Sequence, residues 1–124
     1  MTTPKNLYER LGGYDGITAF TNDLLPRLQR DSQLGRFWQH RGTDGIAREK
    51  QLLIDYLCSC AGGPMYYTGR DMKTSHKGMK ISEGDWSLLL EHAGASMRAL
   101  RIPQRECDEI ATFVLSLKDD IVES

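Results

Sequence analysis

An all-α fold is predicted by three features of this chain. Apolar residues recur at helical spacing over its long stretches, no segment alternates apolar and polar residues as a half-buried strand does, and Gly, Pro and Ser/Asp signals stand where the stretches begin and end. With 124 residues the chain reads as one domain, 1–124, because a chain of this size buries roughly two thirds of its unfolded surface. It shows no internal repeat, linker or low-complexity segment.

The first helix is expected to begin near Thr3 or Pro4 and to stop at Gly12-Gly13, the usual C-terminal punctuation. A second, from about Asp15 to Arg30, buries Ile17, Phe20, Leu24, Leu25 and Leu28, with a kink or local break at Pro26, which has no N–H to donate. "DSQLGRFW" reads as a short helix capped by Asp31, followed by the loop "QHRGTDG". The third long helix, about Ile46 to Ala61, carries the apolar stripe Leu53, Tyr56, Leu57 and Cys60, with Glu49 one turn earlier. Gly62-Gly63-Pro64 ends it. One or two helical turns are expected within about Arg70 to Lys77. Ser82 and Asp85 cap the next helix through about Leu100, with Trp86, Leu89, Leu90, Ala93 and Met97 inward. Pro103 opens the last, whose stripe is Cys107, Ile110, Phe113, Val114, Leu117 and Ile121.

Composition excludes several functions. Charged residues make up 27% of the chain with a formal balance of -1, so there is no basic stripe for nucleic acid. The N-terminal "MTTPKNLYERLGG" has no apolar signal region, and no apolar run is long enough to span a bilayer, so a cytoplasmic chain without a membrane partner is expected. Cys58, Cys60 and Cys107 are an odd set without zinc spacing or disulfide pattern. The C-x-x-C-H pattern is absent, so any haem would be held without thioether bonds.

The stretch "GGPMYYTGRDMKTSHKGMKIS" concentrates Gly, Met and Tyr around His76. Met72 lies four residues before His76, so on a helix the two share a face, and with Met79 and Ile81 they form an apolar collar round the imidazole. Such a surround suits a neutral imidazole that ligates haem iron. It suits a plain structural histidine as well.

The order "YERLGG", "FW", Gly62-Gly63-Pro64, Tyr67-Thr68-Gly69 and Met72 with His76, continued into the final helix, resembles the truncated haemoglobins, most closely group I, over almost the whole chain. The resemblance implies a two-over-two helical sandwich enclosing haem b, with His76 as proximal iron ligand and Gly62, Gly63 and Gly69 bending the backbone round the cofactor. It makes Leu53 and Leu57 candidates to face the haem, and Phe37 and Trp38 candidates for its edge, although plain core would serve these aromatics equally. Trp86 joins the haem contacts. Arg70 and Lys73 would pair with the propionates from the rim; as exposed cations they would otherwise simply be solvated.

Counting along the family pattern, the distal pocket falls on Leu25, Glu49, Leu53 and Tyr56, and here the chain departs from its relatives, many of which carry a ligand-binding Tyr at the position of Leu25. Leucines donate nothing to bound O2, and ionised Glu49 only accepts. Tyr56, Trp38 or Gln51 are the alternative donors, and Lys50 or His40 are candidates for a sixth iron ligand. His92 is assigned no ligand role. The resemblance thus implies reversible binding of O2, or of NO or CO, at ferrous iron. Two rivals stand beside it: an NO dioxygenase served by an external reductase, and a haem-free thiol-sensing or interaction module using Cys58 and Cys60.

Overall fold

The computed structural model describes residues 5–39, 42–64, 67, 69 and 71–123. Among the described residues every regular element is helical: α1 (Leu7–Arg10), α2 (Gly13–Arg30), a 3₁₀ turn (Leu34–Trp38), α3 (Thr43–Cys60), α4 (Met72–His76), α5 (Glu83–Ala99), α6 (Gln104–Ser116) and α7 (Lys118–Ile121). The helices form a two-over-two sandwich in which α1 also meets α6 and α4 meets α7. Helix α2 packs on α1, α3, α5 and the 3₁₀ turn. None of the described helices is long and apolar enough to cross a membrane.

The expected first-helix start at Thr3 or Pro4 lies outside the described residues; α1 begins at Leu7, where the Asn6 side chain accepts from Glu9 N at 2.9 Å. Gly12 and Gly13, at φ +97° and +69°, reverse the chain into α2, a conformation that favours glycine. Gly16 has a different reason: a Cβ there would stand 1.8 Å from the Leu11 carbonyl oxygen, so only glycine lets α2 leave α1 so closely. The break considered at Pro26 does not occur. Helix α2 continues through it to Arg30, because Leu24, Leu25 and Leu28, buried on both sides of the proline, hold the helix in place. Each such burial contributes about 1.5–3 kcal/mol, comparable to what an interior proline costs.

Two clusters form the core. Leu24, Leu25, Leu28, Leu34 and Ala93 make the first, fringed by half-buried Phe20, Phe37, Trp38, Leu53, Leu88 and Leu89. Ile17, Ile54 and Cys58 make the second, with Tyr8, Leu11, Leu57 and Ala61 around it. The stripe expected on α3 is therefore corrected: Ile54 and Cys58 are its buried residues, Leu53, Tyr56 and Leu57 are half-buried, and Cys60 is exposed. Leu52, Leu53, Ile54, Tyr56, Leu57 and Cys58 occupy more than one face, and contact with Ile17 of α2 chose between them.

Helix α5 starts as expected, with a reciprocal Ser82–Asp85 capping box. Its buried residues are Asp85, Trp86, Ala93 and Ser96, whereas Leu89, Leu90 and Met97 are half-buried. The last helix is not continuous, since α6 ends at Ser116 and α7 begins after Leu117. Of its expected stripe only Ile121 is fully buried; Glu106 is the buried residue of α6, because the Arg10 guanidinium meets its carboxylate at 2.8 Å. Arg10 also holds Glu109 at 2.5 Å, which ties α1 to α6 and holds the Glu109 carboxyl below its ordinary range.

Candidate functional site

His76 is the last residue of α4, a single turn started by Asp71, whose Oδ1 accepts from Thr74 N at 2.8 Å. The Thr74 hydroxyl first, and then this N–H, hold the Asp71 carboxyl below its ordinary range. The imidazole Nδ1 lies 2.8 Å from the Met72 carbonyl oxygen and 2.9 Å from Ser75 Oγ. A carbonyl can only accept, so Nδ1 donates to it, and in the neutral tautomer this leaves the lone pair on Nε2. The spacing of Met72 and His76 read from the sequence thus serves the backbone as well: one helical turn brings the Met72 carbonyl beneath the ring. Met72, His76, Met79 and Ile81 are half-buried, and Lys73 is exposed. Arg70 lies outside the described residues, as does His40.

A separate group of sequence-predicted residues lies on the 3₁₀ turn and α3, where Phe37 and Trp38 meet edge to face at 6.4 Å between ring centres and pack with Leu53 against the first core cluster. Leu25 lies within that cluster, 7% exposed. Glu49 and Lys50 are half-buried further up α3. Leu57 is drawn to the other cluster and lines a partly open cavity of about 260 Å³ between α1, α2, α3 and α6, with Phe20, Cys60, Ile110 and Phe113 also in its wall.

Other candidates are engaged elsewhere. Gln51 donates to the Tyr14 hydroxyl and to Asp55 Oδ1, each at 3.0 Å, on the exposed side of α3. Tyr56 meets Tyr67 edge to face and Phe113 at a tilt, at 5.0 and 6.1 Å between ring centres, and burial pushes its hydroxyl pKa up to about 12. His92 Nε2 sits 2.7 Å from Asp31 Oδ2, an internal polar contact. Cys58 is fully buried, Cys60 is exposed, and desolvation pushes both thiols up. Trp86 is 3% exposed, and its indole Nε1 has no partner among the described protein groups.

Two features escaped sequence reasoning. Asp85, expected only as a cap, also accepts from Gln33 Nε2 at 2.5 Å and from Arg36 Nη2 at 2.5 Å, pinning the turn that carries Phe37 and Trp38 to α5. Glu123 reaches the loop after His76 and bonds Gly78 N and Lys80 N. The Ser82–Asp85 box was a local signal for the first; the partners of both residues lie too far away in sequence to leave one.

The bacterial-like globin family matches residues 6–123. The group 1 truncated haemoglobin of Tetrahymena pyriformis is 24% identical over 122 residues, 98% of each chain. That of Mycolicibacterium paratuberculosis is 28% identical over 118 residues, 95% of this chain and 85% of the relative. Among solved structures, the ferric Tetrahymena pyriformis protein superposes with a TM-score of 0.86 at 22% identity, covering 97% of this chain and 100% of that one. A Synechococcus 2/2 haemoglobin with covalently attached haem gives 0.85, also at 22%, covering 95% and 98%. The two-layer helical fold, the imidazole on its short turn and the match over nearly the whole length agree: the chain belongs to the bacterial-like globin family, as a group I truncated haemoglobin, a haem protein that binds diatomic gas.

Proposed function

We propose that this chain holds haem b through His76 as proximal ligand and binds O2 reversibly, with NO and CO as alternative ligands. The observation that carries this reading is the Nδ1 contact to the Met72 carbonyl, which fixes the tautomer and leaves Nε2 as the ligating atom. Haem, when bound, supplies the iron at which the gas coordinates. The rest of the neighbourhood suits it. Phe37, Trp38, Leu53, Leu88 and Leu89 are half-buried apolar groups on the rim of a packed core, a surface whose remaining exposure a flat apolar cofactor removes. Met72, Met79 and Ile81 are half-buried apolar residues on the same stretch as His76. Lys73, exposed on the turn that carries His76, is a cation for a propionate, and the orphaned Trp86 N–H is a donor that an added group would satisfy.

Absorption spectra of the purified protein test the proposal. A Soret band, a five-coordinate ferrous spectrum and a CO adduct are expected, and acidified butanone should extract the pigment. A colourless protein that takes up no haemin overturns the reading; pigment that stays with the polypeptide overturns the b type. A six-coordinate ferrous spectrum that Lys50→Ala converts to five-coordinate would make Lys50 the sixth ligand. The thiol-sensing alternative gains no support, because raised thiol pKa values disfavour the reactive thiolate. Consumption of NO by the oxygenated protein, with an external reductase restoring the iron, tests the enzymatic use of the same site.

Gas release follows from the distal wall. With Leu25 and Leu53 apolar and Gln51 and Tyr56 engaged elsewhere, Leu53→Gln is expected to add a donor at the rim, where the half-buried side chain has room. One hydrogen bond of about 1 kcal/mol or somewhat more slows O2 dissociation by about fivefold to tenfold. CO carries little charge when bound, so its release should change much less. Stopped-flow measurement of both gases checks this; unchanged O2 release from an already slow wild type would make Trp38 the donor.

A further inference from the structure

The loop that follows His76 is held by a residue from the far end of the sequence. Glu123, two residues beyond α7, spreads its carboxylate across that loop, with Oε2 accepting from Gly78 N at 3.0 Å and Oε1 from Lys80 N at 2.8 Å. Its own backbone N–H donates to the Ile81 carbonyl oxygen at 2.9 Å. The loop needs such restraint. Gly78 and Lys80 both have left-handed backbone, at φ +86° and +57°, and lysine, with its Cβ, tolerates this poorly. The same loop is tied to the ligand residue, since Met79 N donates to the His76 carbonyl oxygen at 3.2 Å. Beneath it α4 packs on α7, so the element carrying His76 and the segment carrying Glu123 form one unit.

We propose that Glu123 is a positioning residue for His76, its two-point carboxylate clasp holding the 77–81 loop so that the imidazole keeps a fixed attitude toward the haem iron. The inference rests on His76 being the iron ligand. An ionised carboxylate shared by two backbone N–H donors makes charge-assisted bonds, stronger than neutral ones. Without them the strained Lys80 backbone relaxes, and Met79 and the His76 carbonyl move with it. Glu123 is exposed, and its carboxylate bonds run to the loop backbone, so its effect on His76 passes through the loop.

The test compares haem-loaded wild type with Glu123→Ala, Glu123→Gln and, as a control for lost charge, Glu91→Gln on the exposed side of α5. Three quantities are read: the iron–histidine stretching frequency of the ferrous protein by resonance Raman, the rate of haem transfer to excess apomyoglobin, and the thermal midpoint. In Glu123→Ala the iron–histidine band should shift or broaden and haem transfer should quicken by about tenfold, for the loss of two charge-assisted bonds. Glu123→Gln, which keeps one acceptor oxygen, should fall between, and Glu91→Gln should match wild type. An unchanged band and transfer rate in Glu123→Ala overturn the proposal. So does a lowered thermal midpoint with the band unmoved, because that marks a merely structural role. A wild type with no iron–histidine band removes His76 as ligand and the clasp with it, a failure distinct from a normal wild-type band that the Glu123 variants leave untouched.

Discussion

His76→Ala is expected to lose the five-coordinate ferrous spectrum and to weaken haem binding by more than about 100-fold, the upper end of what loss of an outer-shell partner alone costs. The helix should survive. His76 is the terminal residue of α4, half-buried, and the turn is started by Asp71 at the other end. The apolar groups Phe37, Trp38 and Leu53 remain, so imidazole added in solution should restore much of the spectrum by entering the space the side chain leaves. Ser75→Ala should act far more weakly, since Nδ1 keeps the Met72 carbonyl at 2.8 Å. Ferrous and CO spectra unchanged in His76→Ala would transfer ligation to another histidine. His92 would first have to give up Asp31.

The second large effect is expected at Asp85→Asn. The wild-type carboxylate, 1% exposed, accepts from Gln33 Nε2, from both Arg36 Nη atoms and from Ser82 N at 3.0 Å. An amide brings its own N–H groups against these donors and leaves Arg36 without a counter-charge. Removing one partner of a buried pair costs 3–5 kcal/mol, but the Arg36 side chain is 41% exposed, and solvent screening reduces the expected loss to about 2–3 kcal/mol. Urea unfolding at neutral pH measures it. The pH dependence carries the same signature. Arg36 first, with Ser82 and Gln33, outweighs burial and holds the Asp85 carboxyl well below the usual carboxylate range. A carboxyl depressed in the folded state stabilises fully above the unfolded value of about 3.9, and this contribution fades as acid is added below it. Asp85→Asn should therefore flatten the loss of stability below about pH 4 while lowering the plateau above it. Equal plateaus would show that the capping interactions suffice without the charge. Because Asp85 pins the turn carrying Phe37 and Trp38, haem should also leave the variant faster.

The sequence by itself determined what local chemistry determines. Helical periodicity and the lack of strand alternation made the chain all-α. Gly12-Gly13, the Ser82–Asp85 box and Pro103 set helix ends, because caps and turns are satisfied within a few residues. His76 stood out through its neighbours, and the distance from Met72 to His76 is one helical turn, short enough for spacing alone to bring a carbonyl under the ring. Tertiary structure decided the rest. A helix with apolar residues on several faces has no preferred rotation until a partner arrives, so Ile54 and Cys58 of α3 became core through Ile17, and Leu57 and Tyr56 turned toward α6. Glu106 is buried because Arg10 lies across from it, Asp85 is fixed by Arg36 and Gln33, and Glu123 closes on Gly78 and Lys80. Beyond the cap at Asp85, no local pattern shows these pairings, because the partners that repay the desolvation of these charged groups lie tens of residues away and meet them only when the helices pack.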